Sequence, residues 1–252
     1  VRQDPNSAYT LSGTTLAFAA APGAGTNNIY VVHQAKAVAT IDIPYQNTNL
    51  GPVVTIGRAS AEDTKIVFDG NAQDYHIGLD DSTDDLVIGK GSALGTTANI
   101  VIDENGHVTK PLQPGFLASS GTQNNMAVGA YVDIIYSTEI FDNNADYNTG
   151  NYTFTAPVTG RYHFSFSLNL SGVDTAGMNY VWFILDTSNR DYRLDIIHSN
   201  LGEADLALHG FKGTVIADMD ASDTAKMRFY QDGGTAQADV DGNSYFSGYL
   251  LG

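Results

Sequence analysis

The stretch Arg161-Tyr162-His163-Phe164-Ser165-Phe166-Ser167-Leu168-Asn169-Leu170 places a large apolar side chain at every second residue. Only an extended strand, whose side chains alternate between two faces, puts Tyr162, Phe164, Phe166, Leu168 and Leu170 on one surface. That surface is core, and His163 falls on the polar side. Tyr180-Val181-Trp182-Phe183-Ile184-Leu185 is different, being apolar on both faces. An antiparallel strand tolerates this only if its second face is also covered, as a subunit interface would do. No stretch shows capped helical spacing, and Leu201–Leu208, the segment richest in helix formers, is too short to be a stable helix alone.

Composition supports an all-β chain. Gly 26 and Tyr 14 with one Trp and seven Pro, beside many Thr, Asn and Asp, suit short strands joined by tight turns. Hydrophobic residues at 42% are enough for a folded core. A net charge of −16 is the wrong sign for tracking a phosphate backbone, so nucleic acid is not expected as a partner. No apolar run reaches the roughly 20 residues that span a bilayer, so no membrane insertion is expected. Val1–Thr10 lacks the basic start and apolar stretch of a signal peptide, and the start at Val1 leaves room for an upstream segment. The absence of Cys removes disulfides, thiolate zinc sites, iron–sulfur clusters and a cysteine nucleophile.

The chain divides at Lys110-Pro111-Leu112-Gln113-Pro114-Gly115, where two prolines suppress both helix and central strand. Both sides are acidic. Three segments follow: a small β module at 1–60, β-hairpin stalk repeats at 61–110 and a head at 111–252. In the first, Tyr9–Phe18 alternates on both sides of a Ser12-Gly13 turn, and Asn28–Val32 is a β-branched run after the Pro22–Gly25 loop. In the second, Asp69-Gly70 and Asn105-Gly106 predict two-residue hairpin turns, and Asp80–Asp84 is an acidic turn between the short strands Tyr75–Leu79 and Asp85–Gly89. These strands are too short and too sparse in large apolar residues to bury a core alone, which argues for an oligomer.

In the third segment, Phe141-Asp142-Asn143-Asn144-Ala145-Asp146-Tyr147-Asn148 continues through Phe154-Thr155-Ala156-Pro157-Val158 and Gly160 to Tyr162-His163-Phe164. This order resembles the signature of complement C1q-like globular heads. Gly242–Leu251 looks like the closing strand of that family, preceded by strands at His209–Met219 and Lys226–Tyr230. The resemblance covers about residues 115–252. It implies a ten-stranded jelly roll in a homotrimer, usually on a fibrous stalk, that binds through its loops or apex. A trimer would cover Trp182 and Ile184 and the chain end at Tyr249 and Leu251, the trimer-core candidates. Asp191–Leu208 and Asp220-Ala221-Ser222-Asp223 depart from the family pattern, so no calcium site or receptor loop is carried across them. Tyr9–Leu16 with Ala21-Pro22, Gly25 and Asn28–Val31 is similar to β modules of tailed-bacteriophage fibres. Phe68–Asn71 through Asp103–Pro111 looks like the stalk repeats that precede phage fibre tips.

Catalytic motifs are missing. The His at 33, 76, 107, 163, 198 and 209 show no zinc-protease spacing, and neither a Gly-x-Ser-x-Gly elbow nor a glycine-rich phosphate loop occurs. No catalytic residue and no metal is assigned. The candidates for a calcium ion are Asp239 and Asp241, because Asp239-Val240-Asp241-Gly242-Asn243 matches part of a calcium loop while lacking the later Gly and terminal Glu of the full motif; no other cofactor is expected. The Tyr- and Asn-rich loops offer rigid aromatic faces and amide donors. They supply the receptor-binding candidates Asn143, Asn144, Asp146, Tyr147, Asn189, Arg190 and Tyr192.

The expectation is a non-enzymatic, homotrimeric bacteriophage fibre protein, extracellular on the virion. Its partners would be tail or capsid proteins on one side and a host surface glycan or protein on the other. The alternatives are a polysaccharide-cleaving fibre tip, whose acid pair would lie across a groove, and a capsid-decorating or secreted bacterial protein with the same head.

Overall fold

The computed structural model describes residues 8–12, 15–21, 52–198 and 204–252. Every regular element among them is a strand. The chain separates into two compact units, residues 1–55 and 56–252. In the first unit, β1 (Tyr9–Ser12) and β2 (Thr15–Phe18) pair antiparallel. The expected turn at Ser12-Gly13 runs past the described residues at Gly13, and the Pro22–Gly25 loop and the Asn28–Val32 strand lie wholly outside them.

The second unit begins with a five-stranded antiparallel meander: β3 (Thr64–Phe68), β4 (Tyr75–Asp80), β5 (Asp85–Lys90), β6 (Ala98–Ile102) and β7 (Val108–Thr109). Both expected hairpins form, with loops longer than two residues. In the β6–β7 loop, the Asp103 carboxylate accepts the amides of Asn105 (2.9 Å) and His107 (2.8 Å), while Gly106 adopts φ 85°. An Asp side chain that satisfies two amides stabilises the wider loop. In the β3–β4 loop, Gly70 donates its amide to Asp74 Oδ1 at 3.1 Å. The acidic residues between β4 and β5 form a turn, with the Asp80 carboxylate accepting the Ser82 amide at 3.0 Å and Asp84 at φ 58°.

Beyond the connector, the head is a two-sheet sandwich. The first sheet takes the order β10 (Thr138–Asp142), β8 (Gly115–Ser119), β19 (Tyr245–Leu250), β13 (Gly160–Val173), β16 (Leu206–Met219), with β18 (Asp239–Val240) also on β13. The second runs β11 (Tyr147–Asn148), β12 (Thr153–Thr155), β17 (Thr224–Gly233), β14 (Met178–Thr187), β15 (Asp191–His198), with β9 (Tyr131–Asp133) also on β17. Spatial neighbours are distant in sequence because the chain crosses between sheets, the arrangement of a jelly roll. The described head has twelve strands where ten were expected, and the surplus consists of ladders of two or three residues. The described end of the Leu201–Leu208 segment is the start of β16.

The alternation in β13 does what the sequence requires of it: Tyr162, Phe164, Phe166, Leu168 and Leu170 are all buried. Phe116 on β8 meets Tyr147, Phe154 and Phe246 with ring centroids 4.7, 5.0 and 5.0 Å apart. Gly248 lets β19 approach this layer. A Cβ there would lie 2.6 Å from the Phe164 ring and 2.9 Å from the Phe116 ring, so any larger residue must displace one of them.

Phe116→Ala should therefore cost about 3–5 kcal/mol, which at typical urea slopes lowers the unfolding midpoint by about 2 M at fixed protein concentration. A change below about 0.5 M would mean that Phe116 does not organise the core.

Candidate functional site

The strands set two ends to the sandwich. At one end, Gly115 enters β8, Leu250 leaves β19 and Gly160 opens β13, with the Leu250 amide donating to the Pro114 carbonyl at 3.0 Å. All seven expected receptor-binding residues lie at this connector end, where six are engaged through their side chains and Asp146 Oδ2 is buried without a hydrogen-bond partner. Asn143 and Asn144 donate their side-chain amides to the carbonyls of Gln113 and Leu112, each at 3.0 Å. Tyr147 is buried, and its hydroxyl donates to the Tyr136 carbonyl at 2.9 Å. Burial, followed by the charge of Asp142, pushes the Asp146 carboxyl above its ordinary range. Asn189 donates to the Asp223 carboxylate (2.8 Å), Arg190 pairs with Asp218 (3.1 Å), and the Tyr192 hydroxyl donates to Asp218 at 3.4 Å. The departing segment Asp220–Asp223 is thus tied to the Asn189 loop.

At the opposite end, the loops at residues 174–177 and 233–236 meet at Asp174, which is 5% exposed. Its carboxylate accepts the amides of Thr235 (2.7 Å), Ala236 (2.8 Å) and Gly177 (2.8 Å). Gly233 and Gly234 adopt φ 74° and 80°, and the carboxylate comes within 2.3 Å of where a Gly234 Cβ would sit, so that position requires glycine. Burial alone would raise the Asp174 carboxyl, but the amides of Ala236, Thr235 and Gly177 outweigh it and hold the group below the usual carboxylate range. Asp239 accepts the Asn125 amide at 2.6 Å, and the Asp241 carbonyl accepts the Ser244 hydroxyl at 3.0 Å. Among the described residues, no group of three or more His, Asp or Glu side chains could hold a metal ion.

The outward faces of the two sheets differ. On the second sheet, Trp182 stacks on Tyr180 (4.7 Å) and carries the Arg193 guanidinium 3.7 Å from its ring centroid. Ile184 is 1% exposed, with Arg193 and Arg228 as its cross-strand partners. Trp182 and Ile184, expected at a subunit interface, are thus covered by cationic and aromatic neighbours of their own protomer. Asp186 faces Asp191 across β14 and β15. Burial, then the hydrogen bond with Asp191, raises the Asp186 carboxyl, and Arg228 engages it at 3.0 Å. This carboxyl pair is part of an ion-pair network on a sheet face.

The first sheet leaves its outward face open. Phe141, Ile216, Tyr245, Tyr249 and Leu251 are 39 to 57% exposed on it and beside its edge. A groove of about 410 Å³ runs over Gly115 and Gly248 between Phe141 and Tyr249. The His163 ring lies 5.1 Å from that of Tyr249, and its Nδ1 is buried without a hydrogen-bond partner. Of the four residues expected at a trimer core, Tyr249 and Leu251 are exposed here and Trp182 and Ile184 lie on the second sheet; Phe141, Ile216 and Asp174 were not among the expected residues. The signal for Ile216 was present, since Val215-Ile216 is apolar on both faces of its strand.

A family model described as C1q domain matches residues 116–251. Among solved structures, the chain is similar to the globular domain of zebrafish complement 1qA protein, with 16% identity and a TM-score of 0.43 over 56% of this chain and 98% of that one. It is also similar to murine APRIL, with 8% identity and a TM-score of 0.41 over 55% and 99% of the two chains. No curated protein matches it.

The depressed Asp174 carboxyl sets an acid dependence. Its stabilisation is complete above the unfolded value near 3.8 and is lost as pH falls through the lower folded value. Asp174→Asn should destabilise the head at pH 7 and flatten the acid limb of its melting temperature between about pH 5 and pH 2. Parallel acid limbs in the two proteins would exclude Asp174 as the source.

Proposed function

Because the chain belongs to the C1q domain family, whose domains serve in general as trimeric, non-enzymatic binding modules, we propose that it is a homotrimeric bacteriophage fibre protein. In this reading the residues before the connector build the stalk and the head contacts the host surface. The observation that carries the assembly of copies is the asymmetry of the two outward sheet faces. The second sheet closes its aromatic residues with its own cations, whereas the first leaves Tyr249, Phe141 and Ile216 in water around a groove floored by glycine. An apolar face of this kind on an otherwise acidic chain suits a contact between copies.

The host contact belongs at the loop end opposite the connector, because the polar residues of the connector end already hold one another and the connector. The free end presents residues 121–125, 172–177, 233–237 and 241–244, of which the second and third are tied together by Asp174 and the first is held through Asn125 by Asp239. Such loops suit a surface glycan or the polar surface of a host protein. Three copies would raise the avidity of a weak site by orders of magnitude.

Native mass measurement should give three chains. The double change Tyr249→Asp and Ile216→Asp should give folded monomers with unchanged far-ultraviolet dichroism. A wild-type monomer at micromolar concentration would overturn the trimer. The chain should also be present in purified virions, and the free trimer should block adsorption of those virions to host cells. Absence from virions would overturn the fibre reading.

A further inference from the structure

The meander of β3 to β7 has one closed face and one open face. The closed face is covered by the chain itself. Residues 91–97 fold over it, with the Lys65 ammonium donating to the Ser92 carbonyl at 2.6 Å and His76 Nδ1 lying 2.9 Å from the Gly91 carbonyl. Gly78 and Gly89 make room for this cover. A Cβ on Gly78 would lie 2.9 Å from Leu94, and one on Gly89 would lie 2.6 Å from the His76 ring.

The open face carries a row of isoleucines, Ile66, Ile77, Ile88 and Ile100, in direct register across four strands. Beside it run the pair Phe68–Tyr75 and the row Leu79–Leu86–Ile102. Phe68 is 60% exposed, Tyr75 50% and Ile66 44%. The exposed apolar area is on the order of 500 Å², at the upper limit of what a soluble monomer leaves uncovered and comparable to one side of a small stable interface.

We propose that this face is the contact between copies of the same chain in the stalk. Three features point to a second copy as its occupant. The ladder itself carries no charge, with Lys90 at its edge opposite Tyr75, Asp80, Asp81, Asp84 and Asp85 beyond its other edge, and Lys110, Leu112 and Leu250 sharing a groove with Ile100 at its end. A chain of net charge −16 can meet its own copy closely only where charge is missing. The connector is five residues long, between Thr109 and Gly115, and reaches at most about 17 Å. Heads held together thus keep their meanders at an effective concentration near the millimolar range. This last step rests on the trimeric reading of the head; the uncharged, uncovered ladder does not.

The chain has no cysteine, so single introduced thiols report contact directly. In the full chain, Ile88→Cys and, separately, Ile77→Cys should form covalent dimers on brief oxidation. Val67→Cys, on the opposite face, should not. Native mass is read on the same samples before oxidation. Crosslinking from either face position with none from Val67→Cys supports the proposal, whether the mass is that of two or three chains; a mass of two overturns only the trimer. A mass of three chains without crosslinking from Ile77→Cys or Ile88→Cys overturns the proposal and leaves the head reading standing. A monomer without crosslinking overturns both. If neither cysteine variant folds, hydrogen exchange of the wild-type chain decides. Amides of residues 64–102 should exchange at least tenfold more slowly in the assembled protein than after dilution to monomer, and equal rates overturn the proposal.

Discussion

The aromatic layer in which Phe116, Phe154, Phe164 and Phe246 meet is the contact on which the rest of the head depends. These rings come from four strands, β8, β12, β13 and β19, that belong to both sheets, and only β12 and β13 are neighbours in sequence. Their centroids sit 5.0 to 5.8 Å apart in stacked and edge-on arrangements, the spacing at which ring pairs add to the burial of area. With no disulfide in the chain, this layer and its aliphatic extension carry the long-range constraints of the fold. Gly248 is its steric counterpart, because β19 closes the sheet beside Phe116 only where a side chain is missing.

A sandwich buries one face of each sheet and leaves the other to be settled separately, and the two sheets settle it differently. On the second, Arg193 lies over Trp182, and Arg228 lies 4.8 Å from the Tyr131 ring while reaching Asp186. A guanidinium can lie on a ring and keep its edge for carboxylates, so the doubly apolar strand β14 becomes compatible with water without a partner chain. On the first sheet Ser247 separates Tyr245 from Tyr249, with Ser165 and Thr214 continuing its row; these small side chains cannot cover an aromatic neighbour, and His163 meets only the Tyr249 ring.

This difference explains what the sequence makes legible. Period-two alternation fixes which residues of β13 face inward, since a slip of one position would expose all five large side chains. The C1q-like order of motifs through Phe141–Phe164 follows the elements found in that region. What the sequence hides is who covers an apolar second face. Tyr180–Leu185 and Val215-Ile216 carry the same signal, yet the first is covered by Arg193 and Arg228 from neighbouring strands and the second stays open. Arg193 is on the next strand of the same hairpin, but a register shift between Phe183 and Ile184 decides what it faces, and Arg228 comes from β17, some forty residues away; no local pattern contains either placement. Asp174 is hidden for the same reason, because its amide donors lie some sixty residues away in Thr235 and Ala236.

The polar loops give the same lesson for function. Tyr- and Asn-rich composition describes what a loop offers, not which end of the sandwich it occupies. Asn143 and Asn144 spend their amides on the carbonyls of Gln113 and Leu112, and Gln113 donates to the Leu250 carbonyl at 2.7 Å. Together they form a collar that ties the connector to the first and last strands of the head. Pro111 and Pro114 stiffen the chain on either side of these bonds. The connector is therefore joined to the head through side-chain-to-backbone hydrogen bonds rather than through a loose hinge. A loop committed to that task has few donors left for a ligand, whereas the loops around Asp174 have their backbone anchored by one buried carboxylate, with Thr175 turned inward and Thr235 and Gln237 exposed.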